Sequence, residues 1–499
     1  MNERIRKGVV ASYAVMALQI LSVLIYTPVL IRYLGRSDYA IYMLLNAFLG
    51  YFAVDFGLGS SLAKFITDCR YQTDCGYTQK ELLSVVCRVF LLLSAILAVI
   101  FAAVYPHLDR IFTGLTQDEL VQMKRAYQIA AAYFVLAFFM TPLEGIFTAY
   151  EYFSTWKLTV MLQKILCMTL SIAALLSGYG ILAVAGAEAV SGIVTILFRI
   201  TYLIRTGALQ ISLTYWNGSL LKQILGFSVW MAVISFAQRF IIPVVPAVLG
   251  RFSDSGQIAV FSVASTLEGY IFLTGSVTGS MFLPQVSKLI HTGRKEETGR
   301  LQERVGRIQL FLVGAVILAF VDFGKEFIFL WAGSGYMASY AIVLLISLSD
   351  LFYITQQIAF SVLTVEGNVR YGAYVYVACA LCSTVLSCLL AKKMGAAGAG
   401  IAVCICLWSF HILLMSVVYQ KVAGMDMIRL LRRCHLQILP QYAWYGAGWL
   451  LCNQVLPGYS WKALLFKGAV WTAGLGALVW SRILEPEEKG YVSRIWKQK

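Results

Sequence analysis

Charge is scarce in this chain. Only 13% of its 499 residues are Asp, Glu, Lys or Arg, about half the roughly 25% of a soluble globular protein. Hydrophobic residues make up 60% and the mean hydropathy is +0.75. No soluble core could hide that much apolar surface, so most of it must face lipid. Histidine is rarer still: His107 stands alone in a loop, and His291, His411 and His435 are scattered. There is no His-Glu metal spacing, no Walker phosphate loop and no Gly-x-Ser-x-Gly elbow, so metal, nucleotide and acyl-transfer chemistry have no support and no cofactor is expected. The longest external loop, Pro106–Lys124, is too short to hold a catalytic domain. The eleven cysteines form no framework. Five of them (Cys379, Cys382, Cys388, Cys404, Cys406) lie in apolar runs, where a thiol behaves as a small hydrophobe. Cys69 and Cys75 fall in a loop assigned to the reducing cytoplasm, where a stable disulfide is not expected.

Acid is scarcer than base, and the excess gives a net charge of +15. In a soluble protein this would suggest nucleic acid, but its distribution here indicates a membrane. With loops assigned alternately to the two sides, roughly 28 of the 40 Lys and Arg share the side of Arg4, Arg6 and Lys7, and roughly 11 lie opposite. That bias places the amino terminus in the cytoplasm. The apolar run Val9–Leu34 lacks a small-residue cleavage site and reads as a retained first span. A span needs about 20 apolar residues. Fourteen candidates follow: about 9–31, 39–62, 84–105, 127–149, 158–177, 181–204, 223–249, 258–283, 306–323, 339–363, 372–391, 397–420, 438–456 and 463–481. An even number puts both termini in the cytoplasm.

The two halves of the chain echo one another. Pro28 precedes Leu34-Gly35 as Pro243 precedes Leu249-Gly250, 215 residues on. Ala40-Ile41-Tyr42 returns as Ala259-Val260-Phe261 and Arg88 as Arg307, both 219 residues on. Glu151 and Gly180 return as Glu366 and Gly395, again at 215. The fold class expected is therefore an all-α polytopic membrane protein with a parallel repeat. Residues 1–204 form one six-helix bundle, 205–222 a cytoplasmic linker, 223–420 the second bundle, and 421–499 two added helices with a basic tail. Paired bundles of this kind are typical of transporters that bind cargo between them. Pro28 and Pro243 would bend the first helix of each bundle, either as gates or as static kinks.

Ionisable groups within spans are costly and normally face protein or a wet cavity. Arg239 and Glu268 fall at similar depth in adjacent spans. They form either a structural ion pair or a site at which Arg239 meets a phosphate-bearing cargo. Asp55, Asp350, Glu188 and Glu144 are further candidates for substrate contact or ion coupling. Gln19, Asn46, Gln163, Gln238, Gln356 and Gln357 can bond sugar hydroxyls or neighbouring helices. Lys64, Arg88, Lys164, Arg199 and Arg307 sit at the inner rim, as snorkelling anchors or as contacts for an incoming headgroup.

The stretch Pro28-Val-Leu-Ile-Arg-Tyr-Leu-Gly-Arg-Ser-Asp-Tyr-Ala-Ile-Tyr42 resembles the turn between the first two helices of bacterial polysaccharide (oligosaccharide-lipid) flippases, and Asp55-Phe-Gly-Leu-Gly-Ser-Ser-Leu-Ala-Lys64 the end of their second helix. Ala40 stands where the family commonly has glycine. These flippases belong to the superfamily of multidrug and oligosaccharidyl-lipid exporters, built from two six-helix bundles, sometimes with two added helices. The resemblance implies export of a polyprenyl-pyrophosphate-linked sugar unit across the bacterial plasma membrane for a surface polysaccharide. It implies membrane lipids and the lipid-linked oligosaccharide as partners, polysaccharide-assembly proteins as candidate associates, no nucleic acid, and a functional monomer. A cation-coupled drug exporter of the same superfamily is the first alternative. Such exporters carry a carboxylate in their first helix, where this chain has only Gln19. A membrane polymerase or ligase is the second, and it lacks the large outer loop it would need.

Overall fold

The computed structural model describes residues 3–52, 62, 65–66, 69, 77–209, 217–280, 282–455 and 460–483. Among these every regular element is helical. The first, α1 (Glu3–Gly50), runs straight through the expected first loop. Only Gly35, at φ 75 and ψ 178, leaves helical geometry, in a region of backbone space open essentially to glycine alone. Pro28 sits inside this helix without ending it. Next come α2 (Gln79–Val104), α3 (Gln117–Phe139), α4 (Pro142–Ala149), α5 (Phe153–Leu176) and α6 (Ile181–Arg205). Thr78 with Glu81, and Thr116 with Glu119, close reciprocal capping boxes that start α2 and α3, satisfying amides that a helix start leaves bare.

The second half holds α7 (Gly218–Arg239), α8 (Val245–Phe252), α9 (Ser255–Ser280), α10 (Leu283–His291), α11 (Lys295–Trp331), α12 (Ser339–Tyr353), α13 (Gln357–Val365) and α14 (Val369–Cys406). A wide π-type stretch, Leu407–Leu414, leads into α15 (Met415–Lys421). The last α-helices among the described residues are α16 (Leu436–Val455) and α17 (Trp461–Leu478). The break before α4 at Pro142 recurs 215 residues on before α13 at Gln357. Gly180, which precedes α6, corresponds to Gly395, the one non-helical residue inside α14 (φ 57, ψ −136).

Among the described residues, nine helical stretches are long and apolar enough to cross a membrane. They take up ten of the fourteen expected spans, because Val369–Lys421 carries two. Of the other four, 9–31 lies on α1 and 223–249 on α7 and α8, while 39–62 and 438–456 run partly outside the described residues. The protein is a multi-pass membrane protein. Leu92, Val99, Leu381, Leu465 and Phe466 are exposed apolar side chains on these helices, the surface that lipid covers.

The chain divides into two compact units, residues 1–262 with 376–403 and residues 263–375 with 404–499. In the first, Phe90, Phe147, Leu82, Leu203 and Ile66 form part of one buried cluster. There α6 approaches α3 at Gly192, where a β-carbon would lie 1.9 Å from the Tyr133 hydroxyl. In the second, α11 is the central helix, meeting both α12 and α16.

Candidate transport site

Pro243 breaks its span rather than bending it. α7 stops at Arg239 and α8 starts at Val245, with Pro246 in its first turn. Prolines supply no amide, so nearby carbonyls lose their helical donors. Side chains elsewhere in the first unit take them up. Tyr51 Oη donates to the Pro243 carbonyl at 3.0 Å, Ser383 Oγ to Ile241 at 3.1 Å, and Thr384 Oγ1 to Phe240 at 3.1 Å. The Tyr51 and Phe240 rings stack at 5.9 Å.

The same hairpin is stitched at its tip. The Gly114 N–H donates to the Gly250 carbonyl at 2.9 Å, Thr113 Oγ1 to the Arg251 carbonyl at 3.0 Å, and Arg36 to the Gly256 carbonyl at 3.1 Å. Arg251 reaches back to the Arg110 carbonyl, and Gln257 Oε1 accepts the Ala396 N–H at 3.0 Å. Ser37 donates to Glu119 at 2.5 Å. This seam joins the loops that the charge bias assigns to the outer face. Gly114 is required there because a β-carbon would sit 2.0 Å from the Ser253 carbonyl oxygen. Gly114→Ala is expected to loosen the seam by about 1–3 kcal/mol, the usual penalty of overpacking. Hydrogen exchange over residues 110–116 and 250–257 should quicken; exchange at the wild-type rate would show that the contact does not hold the seam.

Two polar clusters lie deeper. In the first unit, Glu188 of α6 lies within electrostatic reach of Tyr26, Tyr42, Tyr133 and Lys164. Gln163 donates to the Tyr133 hydroxyl at 3.1 Å. Arg199 donates to Thr159 at 2.9 Å and lies 4.1 Å above the Trp156 ring, so its charge is held by α5. The expected sugar-binding and headgroup residues Gln163 and Lys164 thus belong to a protein-lined cluster.

In the second unit, Glu268 and Asp350 are buried at 6% and 5% exposure, and their side chains hydrogen-bond to one another. Two of the expected candidates, Glu268 and Asp350, thus adjoin one another. Two carboxylates side by side repel unless a proton or a cation lies between them. Asp350 Oδ2 has no hydrogen-bond partner among the described residues. The pair sits just before the break between α12 and α13, and the break itself is bound by polar side chains. Gln309 of α11 donates to Gln357 at 3.0 Å and to the Gly275 carbonyl at 3.2 Å. Gln356 donates to Ser416 at 3.1 Å. His435 Nε2 lies 3.1 Å from the Leu351 carbonyl, its ring stacked on Phe352 at 4.6 Å.

The other expected residues are dispersed. Gln19 and Pro28 are half-buried on α1, Arg88 is half-buried on α2, and Glu144 is exposed on α4. Arg239 is half-buried in the last turn of α7, beside the Pro243 break. Arg307 is buried and donates to Gln437 at 2.7 Å and to the Arg433 carbonyl, which ties α11 to the start of α16. Asp55 and Lys64 lie outside the described residues. The sequence reading passed over Asp322, Glu326 and Lys467. Lys467 Nζ lies 2.8 Å from Glu326, and Trp471 Nε1 donates to Asp322 at 2.8 Å. Their signal was present as charges inside or beside apolar runs. No group of three or more His, Cys, Asp or Glu among the described residues could hold a metal ion.

The model of the polysaccharide biosynthesis protein family matches residues 5–288, more than half of the chain. The chain belongs to that family. Among curated proteins none matches by sequence. Solved structures of known transporters share its fold. A lipid II flippase, MurJ, in an inward closed conformation superposes with a TM-score of 0.66 at 13% identity, over 94% of this chain and 99% of its own. An inward-facing multidrug resistance MATE family transporter of the MOP superfamily superposes with a TM-score of 0.57 at 18% identity, over 82% of this chain and 96% of its own. A MATE protein in complex with MaL6 gives 0.59 at 16% identity, over 85% and 97%. This family member therefore shares its fold with both flippases and drug transporters.

Proposed function

We propose that the chain is a flippase that moves a polyprenyl-pyrophosphate-linked oligosaccharide from the inner to the outer leaflet of the bacterial plasma membrane. Two six-helix bundles, 1–204 and 223–420, would alternate access to a central cavity, with 421–499 appended and both termini cytoplasmic. The headgroup would cross through the cavity while the lipid tail stays in the bilayer. The observation that carries this reading, beside the family match, is coverage: the lipid II flippase spans 94% of this chain, the two MATE transporters 82% and 85%. A deficit of that size suits the absence of an appended helix pair. In the seam along Pro243–Gly256, the bonds from Arg36, Tyr51, Thr113 and Gly114 join the two bundles so drawn, and alternating access would require them to part. The cation-coupled drug exporter is kept as a second reading because the Glu268–Asp350 pair is suited to carry a coupling ion.

Proteoliposomes loaded with labelled lipid-linked oligosaccharide test the proposal. Protein-dependent appearance of the label on the opposite leaflet is expected; proton- or sodium-driven efflux of cationic dyes with no lipid flipping would favour the drug exporter. Within the assay, Arg239→Ala is expected to slow transport about tenfold to a hundredfold, the loss of a charge-assisted contact of roughly 1.5–3 kcal/mol. Arg239→Lys should keep part of the rate, because charge survives although the bidentate fork does not. Wild-type rates in Arg239→Ala would remove this arginine from the cargo path.

A further inference from the structure

The turn between α15 and α16 gathers positive charge. Lys421 closes α15, and Arg429, Arg432 and Arg433 fall within the turn, against the single acid Asp426. The three arginines, Asp426, Gln420 and Gly424 help line an open cavity of about 800 Å³, within the size range of small-ligand sites. The charge bias assigns this turn to the cytoplasmic face.

The cavity has a built floor. Gly424, at φ 65, reverses the chain, and the Met425 N–H returns to the Tyr419 carbonyl at 3.1 Å. Asp426 is engaged as a helix cap, accepting the Arg429 N–H at 2.9 Å. Glu303 of α11, only 14% exposed, receives Arg429 Nε at 2.6 Å and Arg433 Nη1 at 3.4 Å. Below them Arg307 donates to the Arg433 carbonyl at 3.3 Å, a carbonyl in the wide π-type turn Leu431–His435. One carboxylate thus orients two guanidiniums and uses one donor atom of each. A guanidinium has five N–H donors, so most remain available. Arg432 is exposed and enters no ion pair or hydrogen bond among the described residues.

We propose that this cavity is a binding site for a phosphate-bearing anionic headgroup at the cytoplasmic membrane surface. Guanidinium groups match phosphate oxygens in pairs, and basic pockets between helices on this face suit phosphorylated lipids. Glu303 does not repel the anion, because Arg429 and Arg433 are both paired with it. An anion seated here would fasten the start of α16 to α11. The site does not depend on what the protein transports.

Native mass spectrometry of the full-length chain in neutral detergent, titrated with phosphatidylglycerol or phosphatidylcholine, tests the site. Phosphatidylglycerol is expected to be retained more tightly. Arg432→Gln should weaken it about fivefold, the equivalent of ~1 kcal/mol per basic residue near an anionic surface. Arg370→Gln, which removes another exposed charge from the same face, should leave retention unchanged. Inorganic pyrophosphate separates the possible sources. Displacement of the lipid by pyrophosphate would mean that the phosphate group alone is recognised, as from a carrier headgroup. Failure to displace it would mean that the intact phospholipid headgroup is required. Equal retention of the two lipids, equal binding by Arg432→Gln and wild type, or an equal loss in Arg370→Gln would overturn the proposal.

Discussion

Exchanging Glu268 for glutamine is expected to abolish ion-driven accumulation of cargo while leaving downhill exchange intact. The pair it forms with Asp350 is almost fully buried, and the two carboxyls adjoin. Such a pair must keep a proton or accept a cation, because two bare carboxylates repel at this distance. Releasing that ion would change the charge of the second unit by one, close to the break between α12 and α13. Glutamine keeps the size of glutamate and donates to Asp350 permanently, so the fold should survive while the exchangeable ion is lost. Asp350→Asn should behave alike. Vesicle uptake with and without an imposed proton or sodium gradient separates the two modes. If both single variants still respond to the gradient as wild type does, the pair is structural and coupling resides elsewhere.

Lys467→Ala is expected to cost about 3–5 kcal/mol of stability, the typical loss when one member of a buried pair is removed. The lysine is 6% exposed and Glu326 is 13% exposed, at 2.8 Å from each other. Glu326 Oε2 has no other partner among the described residues, so an uncompensated carboxylate would remain between α11 and α17. Converting the pair to Lys467→Met with Glu326→Leu should recover most of the loss, since apolar replacements of similar volume are often tolerated. Chemical unfolding in detergent, followed by tryptophan fluorescence, gives the comparison. A cost below about 1 kcal/mol would mean that water reaches the pair and screens it as at a surface.

The helical layout was largely legible, because long apolar runs and their flanking charges are local properties. Side-chain partners were not. Depth along one hairpin put Glu268 level with Arg239, but such an estimate compares only neighbouring spans, and it could not bring in Asp350, which adjoins Glu268 from two spans further on. The repeat made Arg307 the counterpart of Arg88, and it could not reveal that Arg307 binds Gln437 and Arg433. Those residues belong to helices with no equivalent in the first half, so an argument from symmetry necessarily misses them. Pro243 was expected to bend its span, and the helix is interrupted there instead. That it ends the helix outright depends on Pro246 three residues later, which removes a second amide. Lys467 was readable as a charge inside an apolar run. Its partner Glu326 lies 141 residues away in the chain, and no local pattern joins them.

The seam along Phe240–Gly256 also bears on how this protein can drift in sequence. Most of its acceptors are main-chain carbonyls: Phe240, Ile241, Pro243, Gly250, Arg251 and Gly256. A carbonyl is present whatever side chain the residue bears, so substitutions that preserve the backbone path leave the acceptor side of the joint unchanged. The burden falls on the opposite surface, on Tyr51, Ser383, Thr384, Thr113 and Arg36, where loss of one hydroxyl or guanidinium removes a bond outright. Selection on the joint should therefore be lopsided, permissive along much of one strand of the contact and strict along the other.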